Sequence, residues 1–186
     1  MERGLAESPR YEVERGQGVR KASGRLVKNR GTSDMSEQQG IGSTVITQVG
    51  VIVRDIEAAI DRYCAILSME RPEVIVTDEV NKARTTYNGQ PSPARAKLAF
   101  FHLGQVDIEL IEPIGGPSTW QAFLDEHGEG VHHLAFWVKD TDGAVRFLGQ
   151  HNVPLEQQGY FEGGMYTYLD SSAALGVRLE LLQHLP

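Results

Sequence analysis

The sequence predicts an α+β fold in which two βαβββ modules join their sheets into an open, cup-shaped, mixed β-barrel. Three observations lead there. Residues 48–60 (QVGVIVRDIEAAI) and 133–145 (HLAFWVKDTDGAV) share one pattern: an apolar strand, then Val-Arg/Lys-Asp, then a helix start. The two halves also close alike, with VDIELIEP at 106–113 and VRLELLQ at 177–183. Between these echoes each half runs through the same order of elements, and internal repetition at this scale decides an architecture.

In the first half, residues 45–53 are rich in β-branched side chains and read as a buried strand. Asp55 then caps a helix over roughly 56–67, with Ile56, Ala59, Ile60, Tyr63 and Leu67 on one face. EVIVT (73–77) is a strand, and 78–96 is a loop carrying Lys82, Arg84, Arg95 and two prolines. KLAFFHL (97–103) and VDIELIE (106–112) make a hairpin around Gly104-Gln105. Residues 114–130 are a connection holding a short helix, capped by Ser118 and ended by Gly128. The second half repeats the order: strand 131–138, a helix from Asp140 to about Gln150, and strands at 154–158, 165–170 and 177–183.

The expected organisation is a disordered tail over 1–44 and a folded domain over 45–186. That domain divides into module one (45–113), the linker helix (114–130) and module two (131–186). The tail is polar and poor in large apolar groups, so it cannot bury enough surface to offset chain entropy. It holds eight Lys or Arg against six Asp or Glu, whereas the whole chain of 186 residues carries a net charge of −7. Met35 within it is an alternative start. The acidic balance argues against a nucleic-acid partner. The one cysteine, Cys64, rules out an intramolecular disulfide, fits a reducing cytoplasm and reads as core beside Ile60, Tyr63 and Ile66. No apolar run approaches the ~20 residues of a membrane span, and no secretory signal opens the chain.

Chemistry enters where the repeats are superposed. Gln48 falls opposite His133, and Glu109 opposite Glu180. Strand side chains alternate in direction, so two modules related by a two-fold can converge these four inside the cup. One imidazole, one amide oxygen and two carboxylates suit a divalent cation: Zn²⁺ if four-coordinate, or Co²⁺, Ni²⁺ or Mn²⁺ with waters completing an octahedron. His132 competes with His133, but the repeat register sets it opposite Thr47 and points it out of the cup. Trp137 and Phe101 are candidates for a pocket wall, and the Gly-Gly of GYFEGGMY (159–166) for a close approach at its mouth.

At these residues the chain resembles the vicinal oxygen chelate (glyoxalase/bleomycin resistance/dioxygenase) superfamily over about 46–185. IELIEPIGG (108–116), DEHGEGVHHLAFWVKD (125–140) and LELLQ (179–183) are similar to its methylmalonyl-CoA epimerase branch. The resemblance implies the glyoxalase/VOC fold, with metal ligands at Gln48, Glu109, His133 and Glu180. It also implies a homodimer and a small-molecule substrate, a thioester. The implied activity is a metal-dependent epimerase or isomerase moving a proton at the α-carbon of an acyl thioester. Glu180 is expected as the main base and Glu109 as its opposing acid or base, and the loop with Lys82, Arg84 and Arg95 is either a site for an anionic substrate arm or an ordinary solvated loop. The order Gln, Glu, His, Glu departs from the branch, which has His first, and is similar to eukaryotic-type glyoxalase I. A lactoylglutathione lyase acting on a hemithioacetal is therefore the alternative. An extradiol dioxygenase fits poorly, because Gln48 stands where a second histidine is needed. A metal-free sequestering protein fits less well than an enzyme, because the ligand set is full.

Overall fold

The structure is a computed structural model describing residues 40–186. Most of the tail expected over 1–44 lies outside the described residues. Ile41, at its end, packs against the core of the second half.

Ten strands form one curled sheet. The first half contributes β1 (Gln48–Ile52), α1 (Ile56–Leu67), β2 (Ile75–Val76), α2 (Val80–Ala83), β3 (Thr86–Tyr87), β4 (Gln90–Pro91), β5 (Arg95–His102) and β6 (Asp107–Ile114). A linker helix α3 (Thr119–His127) follows. The second half contributes β7 (Gly130–Trp137), α4 (Thr141–Gln150), β8 (Leu155–Phe161), β9 (Gly164–Leu169), α5 (Ser172–Leu175) and β10 (Arg178–His184). The spatial order is β2-β5-β6-β1-β7-β10-β9-β8-β3-β4. In each half the first strand lies parallel to the last, β1 on β6 and β7 on β10. The halves meet where β1 runs antiparallel to β7.

The main helices form where the sequence places them because their caps are local. The carboxylate of Asp55 accepts from Ala58 N–H, that of Asp140 from Gly143 N–H, and the Ser118 hydroxyl from Gln121 N–H. Each satisfies an otherwise orphaned first-turn donor. Helix α1 buries Ile56, Ala59 and Ile60 against Ala99, Phe101 and Leu110. Its counterpart α4 buries Ala144 and Leu148 against Leu169, Leu179 and Leu181. A third cluster lies under α3, where Trp120 and Leu124 pack with Ile52, Ile111 and Tyr168. Cys64 packs beside the first cluster.

Residues 78–96 are not the plain loop expected. They hold α2, β3 and β4, and β3 pairs with β8 of the other half. The strand expected over 73–77 shortens to Ile75–Val76, and α5 was not anticipated. Among the described residues no helix is long and apolar enough to cross a membrane.

Candidate metal centre and cavity

The four predicted residues stand on four adjacent strands, β6, β1, β7 and β10. Backbone register puts them in two neighbouring rows. One row reads Glu109, Gly50, His133; the next reads Gln48, Ala135, Glu180. Each row thus flanks one small residue with two candidate ligands. The small residue in the first row is obligatory. A Cβ at Gly50 would sit 1.9 Å from Cε1 of His133, so the imidazole lies where a side chain on β1 would be. Glycine inside a strand often marks such a close approach.

Ligand-type atoms of Glu109, His133 and Glu180 lie within 4.8 Å of one another. Nε2 of His133 is 3.3 Å from Oε2 of Glu109 and 3.1 Å from Oε2 of Glu180. These contacts are near enough for attraction but not aligned as hydrogen bonds. All three side chains are buried. Eight buried side-chain polar atoms in the described residues lack a hydrogen-bond partner. Four of them are Gln48 Oε1, Glu109 Oε2, His133 Nε2 and Glu180 Oε2. An orphaned buried polar atom is costly, and the orphaned atom of every predicted ligand is the one it would offer a cation. The donor set therefore fits a divalent cation on chemistry and on satisfaction.

The charges agree. Burial opposes a proton on His133, but the charge of Glu180 and contacts with both carboxylates outweigh it and push the imidazole up to about 9. Burial, with the charge of Glu180 adding to it, also raises the Glu109 carboxyl despite its contact with His133. In the protein groups alone a proton on His133 balances part of the two negative charges. A cation would take its place.

His132 is not where alternation puts it. The register between β1 and β7 slips: Gly50 faces His133 but Val51 faces Val131, leaving His132 as the extra residue of a β-bulge. Both imidazoles therefore reach Tyr168, with ring centroids 5.4 Å and 5.0 Å away. His132 is buried, and both its nitrogens are engaged: Nδ1 with His133 Nδ1 at 3.1 Å, Nε2 with Thr119 Oγ1 at 3.1 Å. Burial and the neighbouring charge of His133 hold it well below the usual imidazole range. The expectation that it points out of the cup is corrected by this bulge.

Gln48, Glu109 and Glu180 open onto a cavity of about 430 Å³. Its walls are largely aromatic, with Phe100, Trp120, Trp137, Tyr166 and Tyr168 among them, and its mouth is bordered by Ile75, Val76, Phe161 and Glu162. Burial first, then the charges of Glu180 and Glu109, push the Tyr168 hydroxyl well above its ordinary range, so it remains a neutral O–H. Tyr166 and Thr85 share a hydroxyl contact at 3.3 Å on the same wall. Trp137 lines the cavity as expected; Phe101 does not, and stacks on Tyr63 in the first core. The three basic residues of 78–96 are also absent from these walls. Lys82 pairs with Asp78, Arg84 lies over the Tyr160 ring, and Arg95 donates to the Thr77 carbonyl at 2.8 Å. Sequence reasoning missed Gly50, Tyr166, Tyr168 and Thr85, whose importance depends on cross-strand neighbours. A paired His-His at a strand start was the one local signal for the bulge.

Comparison with known proteins gives this geometry a lineage. A profile of the Glyoxalase/Bleomycin resistance protein/Dioxygenase superfamily matches residues 47–168. Over 108 residues the chain is 27% identical to a 2-epi-5-epi-valiolone epimerase from Actinomyces sp, covering 58% of each. Over 123 residues it is 27% identical to the mitochondrial methylmalonyl-CoA epimerase of Bos taurus, covering 59% of this chain and 70% of that one. The matched stretches span 58–70% of the length of the curated relatives. The fold matches the crystal structure of methylmalonyl-CoA epimerase from Mycobacterium tuberculosis, with a TM-score of 0.54 at 24% identity over 80% of this chain and 93% of that one. The chain belongs to the glyoxalase/bleomycin resistance protein/dioxygenase superfamily, and its relatives include epimerases.

Proposed function

We propose that the protein is a divalent-metal-dependent epimerase or isomerase that moves a proton at a carbon next to a carbonyl, acting on an acyl thioester of the methylmalonyl-CoA kind. One observation carries the reading: four orphaned buried polar atoms, one from each two-fold-related position, in a donor set suited to a divalent cation. Gln48, Glu109, His133 and Glu180 would hold Zn²⁺, Co²⁺, Ni²⁺ or Mn²⁺. When bound, the cation supplies positive charge against the negative charge that develops on a carbonyl oxygen as its α-proton leaves.

The chain's own groups do the rest. Glu180, its carboxylate loosened from the cation, takes the proton, and the Glu109 carboxyl, from the other module, loosened in the same way, returns one to the opposite face. The neutral hydroxyl of Tyr168 stands beside Glu180 and steadies it. The aromatic walls keep water from the reacting carbon. The two named epimerases among the relatives support the reaction class. A homodimer belongs to the same reading and is checked by light scattering.

The ligand order Gln, Glu, His, Glu favours one second reading, a lactoylglutathione lyase. A single panel separates them. Methylmalonyl-CoA, a hydroxylated cyclic ketone and the methylglyoxal–glutathione adduct are followed by NMR in D₂O with each of the four metals. Deuterium entering the methylmalonyl α-carbon is the expected result. Turnover of the adduct alone would transfer the assignment to the lyase, exchange in the ketone alone would replace the thioester, and no exchange in any compound would overturn the proposal.

A further inference from the structure

His132 belongs to no part of the ligand set, yet it touches it. Its Nδ1 lies 3.1 Å from Nδ1 of His133, and both rings are buried. Two imidazole nitrogens so placed share one proton, because two N–H groups repel and so do two bare lone pairs. The other nitrogen of His132 lies 3.1 Å from the Thr119 hydroxyl. Thr119 opens α3 and is itself fixed, its backbone N–H donating to Oε1 of buried Gln157 at 2.9 Å. A continuous chain therefore runs from the linker helix through Thr119 and His132 to His133. The β-bulge makes it possible, since regular alternation would send the two imidazoles to opposite faces.

From this arrangement we infer that His132 is a positioning residue: it accepts the Nδ1–H of His133 and so keeps Nε2 of His133 bare and aimed at the cation site. The inference rests on the metal reading above. The proton inventory has two solutions. In the working one, His133 carries its proton on Nδ1, His132 carries its own on Nε2, and Thr119 Oγ1 accepts it. In the other, His132 Nδ1 donates, which leaves the proton of neutral His133 on Nε2, between the two carboxylates, where it blocks ligation. The Thr119 hydroxyl can accept the Nε2–H of His132 in the first or donate to a bare Nε2 in the second; the first alone leaves Nε2 of His133 free for the cation. The ring is then confined on its remaining sides by Gly50, which leaves it room, and by the Tyr168 ring at 5.0 Å. Outer partners of this kind hold a ligating histidine in one tautomer and one orientation.

The test is a Co²⁺ titration of the full chain against a chromophoric chelator, with long-range ¹H–¹⁵N spectra of the Zn²⁺-loaded protein. Wild type is expected to bind one Co²⁺ per chain and to show a protonated Nδ1 on His133 and a bare Nδ1 on His132. His132→Leu fills the space without an acceptor and is expected to bind Co²⁺ about 10–100-fold more weakly. His132→Asn, whose amide oxygen can stand in for Nδ1, is expected to recover most of that loss, and Thr119→Val to show a smaller loss. Failure of wild type to bind Co²⁺ overturns the metal reading and this role together. Binding by wild type that a folded His132→Leu retains, or a spectrum with the proton on His132 Nδ1, overturns only the role. If His132→Leu does not fold, the wild-type spectrum and Thr119→Val decide.

Discussion

The two modules share a four-stranded plan, β2-β5-β6-β1 and β8-β9-β10-β7, to which module one adds β3 and β4 on the far edge, but they do not do the same work. Module one brings Gln48 and Glu109 on β1 and β6; module two brings His133 and Glu180 on β7 and β10. Glu109 has Gly50 on one side and Phe100 on the other. The second pair stands beside His132 and Tyr168, with the linker helix packed over both halves. The contrast is sharpest at the two-fold-related positions Gly50 and Ala135. Gly50 cannot carry a methyl group, because the ring of His133 lies in its place. Ala135 carries one opposite the flexible amide of Gln48. At these two positions module one yields space and the His133 ring of module two fills it.

The largest effect that would sharpen this contrast is expected at the two carboxylates. Glu180→Gln should lower turnover by about 10²–10⁴-fold, the usual range for a lost general base. Glu109→Gln should cost less in isotope exchange into substrate but stop its epimerisation. Equal loss of both readouts in both variants would show that the modules share the proton work evenly. Next in size is Gly50→Ala. The displaced imidazole should weaken Co²⁺ binding at least about as much as losing an outer partner of the ligand, 10–100-fold, with a lower melting temperature. A crystal structure with His133 unmoved would refute the packing argument.

Acidity separates the halves in another way. Burial works against a proton on His133, yet the two carboxylates push its folded-state value up to about 9, above its unfolded one. The proton therefore adds stability that is present below the unfolded value and disappears as pH climbs through about 9. A cation must displace this proton, so Co²⁺ affinity should rise between about pH 7 and pH 9, with roughly one proton released per ion bound. Calorimetry in buffers of different ionisation enthalpy counts that proton, and a pH-independent affinity would contradict the assignment. The smallest effect is expected for Ala135→Gly, about 0.5–1 kcal/mol of stability from added chain freedom, with Co²⁺ affinity unchanged. A large change in affinity there would erase the asymmetry.

Much of this was legible in the chain because the signals are local or repeated. Asp55, Ser118 and Asp140 mark helix starts through bonds to residues three positions on. The four candidate ligands were proposed from register between the two copies, which no single copy reveals. What escaped depends on distant partners. The two-residue strands β3 and β4 have no period of their own and exist because β8 offers Thr86 and Tyr87 an edge. His132 defied alternation because the slip between β1 and β7 is a property of a pair of strands. Lys82, Arg84 and Arg95 looked available for an anionic arm. Their neighbours in the fold, Asp78, Tyr160 and the Thr77 carbonyl, are not signalled by spacing.

The seam between β1 and β7 has a consequence for ancestry. Neither half carries the whole candidate set; it is assembled only across that border. A primordial single-module peptide pairing with itself would have gathered each donor twice. Copies of the second half would have offered two imidazoles with two carboxylates, and copies of the first two amides with two carboxylates. Only the two unlike halves together place a lone nitrogen donor among oxygens, a mixture that no self-paired half can supply.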